Sequence, residues 1–503
     1  MAIKKKIKIA LCLSSFVFLL IVVIFFIKWE RKFCMGVPVI SEEKLLEYVE
    51  TTEMDISSLM FEGKKIAIDW PGNQVYISQS EEKLKKYYSL QGKLETSNPE
   101  YEVLVLDTEE LRNLSTSVKE GIPITLILKS GANYQKVNTV ITTLPILLLD
   151  LHGTGEDEQG RNNMYGTLTL WNNVATASDT YQTATSHVQW RMRGNSTRIY
   201  PKLSWKVNLR DSNWANLNVE LLGLGSDDDW ILNPMSMDDT FVKEKITQEL
   251  WKQLCEQTDY NYHMSQGKYV ELFINGGHQG LYLLQRRVDT KYLGLNKEKD
   301  ILLKGINIWE AEKSEDAYEI VSTPYDVEET YKMLEKVIAL DEKNFINTDN
   351  FIDVSLLLQF LSAVDNYGYK NMFYVLKDNV ESRELFFVPW DTDLSLGVTW
   401  GYDYESSMNE IIERYEMPSM RQEIPDIDKR IADRWFELRK TVYSEENILS
   451  IYADVTEKLI NSGAIKRDVD KWGMLHEGED NWQSLQIFIK ERLSLLDNYY
   501  TQF

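Results

Sequence analysis

Cysteine is scarce: the 503 residues contain three, Cys12, Cys34 and Cys255, with no CxxC pair. That argues against a disulfide-stapled scaffold. Histidine is equally thin. Five residues (His152, His187, His263, His278 and His476) are scattered without an HxH or HExxH spacing, which removes the usual zinc chemistry. Positive charge is in short supply as well: 55 Lys and Arg stand against 78 Asp and Glu, a formal net charge of −23. So acidic a chain lacks the basic face that unassisted nucleic-acid binding needs. It suits a surface that repels its own copies, or a basic polypeptide partner. Internal repeats and low-complexity tracts are also missing. The length then allows two to four ordinary domains.

What is present begins at the N-terminus. Lys4, Lys5, Lys6 and Lys8 precede Ile9–Ile27, a charge-free run long enough to cross a bilayer as a helix. Trp29, Arg31 and Lys32 follow as an interfacial anchor. No small-x-small cleavage site accompanies the run. The pattern predicts an uncleaved single-pass signal anchor in the cell membrane, with residues 1–8 cytoplasmic and the main body extracytoplasmic. Residues 28–62 read as a linker with a short helix from Ser41 to Glu50. Residues 63–144 carry short β-rich runs between turns and read as a small, sandwich-like all-β module. Residues 145–503 form a second unit of α+β character. Its hairpin around Asn275-Gly276 carries a strong turn signal. Its C-terminal region, Asp426 to Tyr500, is helical throughout.

An acidic constellation stands out between Asp365 and Leu394. Phe351 to Val364 has helical spacing and fails at Asn366 and Gly368. Met372–Leu376 and Leu385–Val388 read as two strands joined by a polar turn. Such a hairpin brings Asp365, Asn371, Asp391 and Asp393 towards one small volume. Carboxylates held within about 4–6 Å raise one another's pKa. A hard divalent cation relieves that cost, and oxygen-only ligands suit Mg²⁺, Mn²⁺ or Ca²⁺. An Asp at a helix end, an Asn soon after and an Asp beyond a hairpin is also a phosphoryl-transfer layout, in which the first Asp takes the hydroxyl proton and the others hold metal. The competing reading is that these residues cap turns.

A basic loop precedes this region. Arg193-Gly194-Asn195-Ser196-Thr197-Arg198 leads into Pro201-Lys202 and Lys206. Arginine forks and small hydroxyls could close over a phosphate, with Lys202 and Lys206 expected on one face of the following strand. The competing reading is a solvated surface hairpin. The triplet Asp227-Asp228-Asp229 lacks the alternating EF-hand ligand pattern and is read as turn capping.

Five motifs occur in order: Arg193–Arg198, Pro201-Lys202, Asp227-Asp228-Asp229-Trp230, the hairpin Asn275-Gly276…Gly280-Leu281-Tyr282, and Pro389-Trp390-Asp391-Thr392-Asp393. Together they resemble the CotH family of bacterial spore-coat kinases, over about Ile146 to Tyr500. The resemblance implies an atypical, rearranged protein-kinase-like fold and transfer of phosphate from ATP, with Mg²⁺ or Mn²⁺, to Ser or Thr of a protein. The substrate expected is basic and Ser-rich, with no nucleic-acid partner. By the same resemblance Asp365 is the catalytic Asp, and Asn371, Asp391 and Asp393 are the metal residues. Arg193 contacts phosphate, Trp390 and Tyr282 stack on adenine, and Lys206 or Lys202, with Lys304 next, holds the α- and β-phosphates. One departure is Gln285, where the family usually carries Glu. It opens the alternative of a weak or inactive relative with a cell-surface binding or structural role.

Overall fold

The computed structural model describes residues 33–84, 90, 92–157, 160–172, 182–194, 196–260, 262–306, 314–338, 346–366, 370–378, 383–398, 411, 424–474 and 481–503. The expected anchor, residues 9–27, lies outside them, as do Asn195 and residues 367–369. Among the described residues no helix is long and apolar enough to cross a membrane.

The chain is α+β. Its first sheet contains β1 (Phe33–Cys34), β2 (Val37–Ile40), β3 (Ala67–Asp69), β4 (Gln74–Ser78), β5 (Glu102–Leu106), β6 (Ile124–Ser130) and β7 (Asn133–Thr142), in the order β1-β2-β5-β6-β7-β4-β3. Residues before 63 therefore contribute to this sheet, β1 at its edge and β2 between β1 and β5. The sheet is mixed: β2 runs parallel to β5 and β4 parallel to β7. Parallel neighbours need crossovers. Part of one crossover is the pair of short helices Glu109–Arg112 and Leu114–Lys119, which lie between β5 and β6. Cys34 and Cys255 are both buried and free.

A closed barrel follows: β8 (Ile146–Glu156), β9 (Asn162–Asn172), β10 (Gln182–Met192), β11 (Trp205–Arg210), β12 (Asp229–Asn233), β13 (Gly267–Ile274) and β14 (Gly277–Arg286), in the order β8-β9-β10-β11-β12-β14-β13. Alternation along each strand turns Leu168, Leu170, Val188, Trp190, Val207, Leu209, Trp230 and Leu232 inward. Each fully buried aliphatic side chain there contributes roughly 1.5–3 kcal/mol. The β13–β14 hairpin turns at Asn275 and Gly276, both at positive φ (51° and 66°), as the Asn-Gly signal predicts.

Helix α1 (Lys243–Cys255) packs beside the barrel. Ahead of it the Asp238 carboxylate accepts from the N–H groups of Thr240 and Lys243 and holds a turn. A four-stranded antiparallel sheet comes next: β15 (Ile301–Gly305), β16 (Tyr318–Ser322), β17 (Met372–Asp378) and β18 (Arg383–Pro389), ordered β16-β15-β17-β18. The buried helix α2 (Thr348–Leu361) packs on β18, and α3 (Ile427–Leu438), α4 (Glu445–Ser462), α5 (Ala464–Trp472) and α6 (Trp482–Tyr500) complete the C-terminal region.

Candidate active site

The acidic constellation is assembled by a helix end and a hairpin base. Helix α2 stops at Ser362, which takes the left-handed conformation (φ 49°) and turns the chain towards Asp365. Strands β17 and β18 pair Met372 with Pro389, so the residues just outside, Asn371 and Trp390, meet at the open end. The Trp390 N–H donates to the Asn371 carbonyl at 3.2 Å. The Asn366 amide then ties both flanks, donating to the Asn371 and Trp390 carbonyls at 2.9 and 2.8 Å. Asn371 and Asp391 both sit at positive φ (52° and 58°). Such a conformation costs a non-glycine residue about 1–2 kcal/mol and persists only where neighbours enforce it.

Asp365 is buried. Lys370 donates to its Oδ1 at 2.5 Å and the Asn371 amide to its Oδ2 at 2.7 Å. Burial raises the Asp365 pKa; Lys370 pulls it down and the Asp391 carboxylate pushes it up. Asp393 is held well above the usual carboxylate range by burial, then by Asp391, Glu244 and Asp365. Glu244, on α1, is raised by burial and by Asp391. Asp391 therefore acts electrostatically on Asp365, Asp393 and Glu244, and Asn371 is bonded directly to Asp365.

Across from them stand cations. Arg193, at the end of β10, lies over the Trp390 ring, 5.8 Å from its centroid. Burial and then Arg287 lower the Arg193 pKa, while Asp391 draws it up. Lys304, at the end of β15, is lowered by burial and by Arg193, with Asp391 opposing. Among the described residues neither Arg193 nor Lys304 forms an ion pair with a carboxylate. Two like charges held side by side without a partner are costly. Lys206 is different: it pairs with Asp229 at 3.1 Å, as Arg287 does at 3.2 Å.

Two residues expected in the site are engaged elsewhere. Lys202 does not share a strand face with Lys206, because β11 begins only at Trp205. Its ammonium is buried and fully engaged, donating to the Leu281 carbonyl (2.6 Å) and the Pro234 carbonyl (3.0 Å) and pairing with Asp468 (2.7 Å). Tyr282 points into the barrel core and donates its hydroxyl to the Leu203 carbonyl at 3.0 Å, so its ring packs among Leu and Val side chains. Trp390 is buried, lies beneath Arg193 and packs edge-on against Phe373. Asp227 is spent on Arg286 and Lys291, in line with a turn-capping role.

Sequence reasoning passed over Glu244. A signal was there: Glu244, Gln248, Trp251 and Cys255 follow helical spacing, so two polar residues share a buried stripe. Gln285 is buried on the same side, and its Oε1 accepts from Gln248 Nε2 at 3.1 Å.

The donor set Asp391, Asp393 and Asn371 is oxygen-only and fits a hard divalent cation. Among the described residues no three His, Cys, Asp or Glu side chains stand together as a ready metal site. Any Mg²⁺ or Mn²⁺ bound here therefore draws its remaining ligands from water or phosphate, as Mg²⁺ usually does.

No curated protein matches the chain. The CotH kinase protein family does match, over residues 190–496. That stretch runs from the barrel strand ahead of Arg193 through the aspartate hairpin and into the last helix, more than half of the sequence, and on it the chain belongs to the CotH kinase protein family.

Proposed function

We propose that this protein is an ATP-dependent protein Ser/Thr phosphotransferase with a rearranged kinase-like fold, held at the membrane by residues 9–27 with its body extracytoplasmic. One observation carries the reading: Arg193 and Lys304, which among the described residues form no ion pair with a carboxylate, both lie within electrostatic reach of Asp391, which in turn acts on Asp365, Asp393 and Glu244. A triphosphate with a divalent cation satisfies both sides at once. Its anionic oxygens neutralise Arg193 and Lys304, and the cation neutralises Asp391 and Asp393.

In this reading Asp365 accepts the proton of the attacking hydroxyl, and Lys370 and Asn371 fix its carboxylate in place. Asn371, Asp391 and Asp393 hold the metal, which supplies charge neutralisation for the transferred group. Lys304 takes the phosphate-binding role, since Lys202 is committed to Asp468 and two carbonyls. Trp390 offers an apolar edge beside the nucleotide. The acceptor is a basic, Ser-rich protein, matched to a chain of net charge −23.

The test is labelling of a basic Ser-rich polypeptide, or of the protein itself, from γ-labelled ATP with Mn²⁺. Removing an electrostatic clamp on the transferred group typically costs ~10²-fold or more. Asp391→Asn and Asp365→Asn should each lose at least that much. Equal labelling by both variants and the unmodified chain would leave a binding or structural role, the alternative that Gln285 raises.

A further inference from the structure

We infer that Glu244 is a positioning residue that shapes the Asp391–Asp393 loop for its cation by gripping Thr392, an inference that rests on the phosphotransfer reading above. Glu244 Oε2 accepts two hydrogen bonds from this one residue, from the backbone N–H at 3.0 Å and from the hydroxyl at 2.9 Å. Both partners are sealed from solvent, Glu244 at 2% and Thr392 at 0% exposure. Thr392 is the residue between the two aspartates, so the grip falls at the centre of the loop.

The loop needs such a restraint. Asp391 is in the left-handed region, which a non-glycine residue keeps only under external constraint. On its N-terminal side the constraint is the Asn366 amide on the Trp390 carbonyl. On its C-terminal side the Ser395 hydroxyl donates to the Thr392 carbonyl at 2.6 Å, and the Leu396 N–H returns to the Leu361 carbonyl at 2.6 Å. Between these, Glu244 is the contact that fixes the loop to a different element, α1. The other end of the grip is anchored in the barrel. Gln248, one turn along α1, accepts the Gly267 N–H at 2.9 Å, donates to Gln285 at 3.1 Å and reaches Glu244 Oε1 at 3.5 Å.

This differs from the arrangement in which a helix glutamate pairs with the phosphate-binding lysine. Lys206, on the neighbouring barrel strand β11, is bound by Asp229. Among the described residues no lysine, Lys304 included, is bonded to Glu244; its partners are Thr392 and Gln248.

The test measures Mn²⁺ binding to the full-length protein with ATP present, by the loss of the free Mn²⁺ paramagnetic signal, for the unmodified chain and for Thr392→Val, Thr392→Ser, Glu244→Gln and Glu244→Gln/Thr392→Val. Hydrogen bonds to charged groups contribute enough that Thr392→Val and Glu244→Gln should each weaken Mn²⁺ binding roughly tenfold. Thr392→Ser, which keeps the hydroxyl, should restore it. The double variant should be no worse than Glu244→Gln alone, because both changes cut the same link. If Glu244→Gln fails to fold, the Val and Ser variants at Thr392 decide the matter. Unchanged Mn²⁺ binding in Thr392→Val, failure of Ser to rescue, or additive losses would overturn the inference. Normal Mn²⁺–ATP binding in the unmodified chain alongside those outcomes would leave the phosphotransfer reading standing. Failure of the unmodified chain to bind Mn²⁺ with ATP would overturn both.

Discussion

Lys370 donates to Asp365 at 2.5 Å and lowers a carboxyl pKa that burial and Asp391 raise. A base must be deprotonated to work, so the acid limb of the rate profile should lie above the ordinary Asp value of about 3.9. Lys370→Met removes a lowering influence and should move that limb to higher pH. Labelling rates measured from pH 5 to 8 check this, and an unmoved or acid-shifted limb would count against Asp365 as the base. Much of this chemistry was legible in the sequence: Asp365, Asn371, Asp391 and Asp393 announce themselves as charged or amide residues at turn signals. Lys202 and Tyr282 did not give themselves away. Their roles are set by Asp468 and by the Leu203 carbonyl, partners far away in sequence whose approach no local pattern encodes.

The hairpins are the elements that place the site, and their turns are the best-encoded part of the fold. Gly276 sits at φ 66°, and a Cβ there would stand 2.4 Å from Trp70 Cδ1. The backbone of Gly276 also accepts the Trp70 N–H at 2.9 Å. Gly276→Ala should therefore destabilise by about 1–2 kcal/mol from the left-handed backbone alone, with a further loss from displacing Trp70. Thermal melting followed by tryptophan fluorescence would show it, and an unchanged melting temperature would contradict it. Short apolar runs bounded by turn signals were sufficient to find β4, β17 and β18, and alternation around the Asn-Gly turn to find β13. It was insufficient for β16, a five-residue strand half-exposed beyond Tyr318, and for β1 and β2, which are too short to carry a pattern. The C-terminal region was read as helical throughout, and helices α3 to α6 occupy most of it, with Ile431, Trp435 and Leu438 of α3 buried.

Across the whole molecule, the first sheet is fastened to the barrel and to α5 through buried charge. Arg467 of α5 donates to Glu271 on β13 and to Thr142 on β7, and His278 on β14 meets the same carboxylate at 2.7 Å. These ties hold Glu271 well below the usual carboxylate range against its own burial. The next residue, Asp468, takes the Leu281 N–H at 2.7 Å and Lys202, so α5 grips both the sheet junction and the chain leading out of the arginine loop. None of this was visible in composition or periodicity, because each partner comes from a different region of the chain. What the sequence did indicate was the grouping of Asp365, Asp391 and Asp393, whose carboxylates act on one another, with Arg193 in electrostatic reach of Asp391. The most direct check is calorimetric titration of ATP into the full-length protein with and without Mn²⁺, repeated for Lys304→Met and Lys202→Met. Saturable binding that needs Mn²⁺, weakened about tenfold or more by Lys304→Met and left intact by any folded Lys202→Met, is the predicted result. Absence of binding, or equal binding by Lys304→Met, would contradict it.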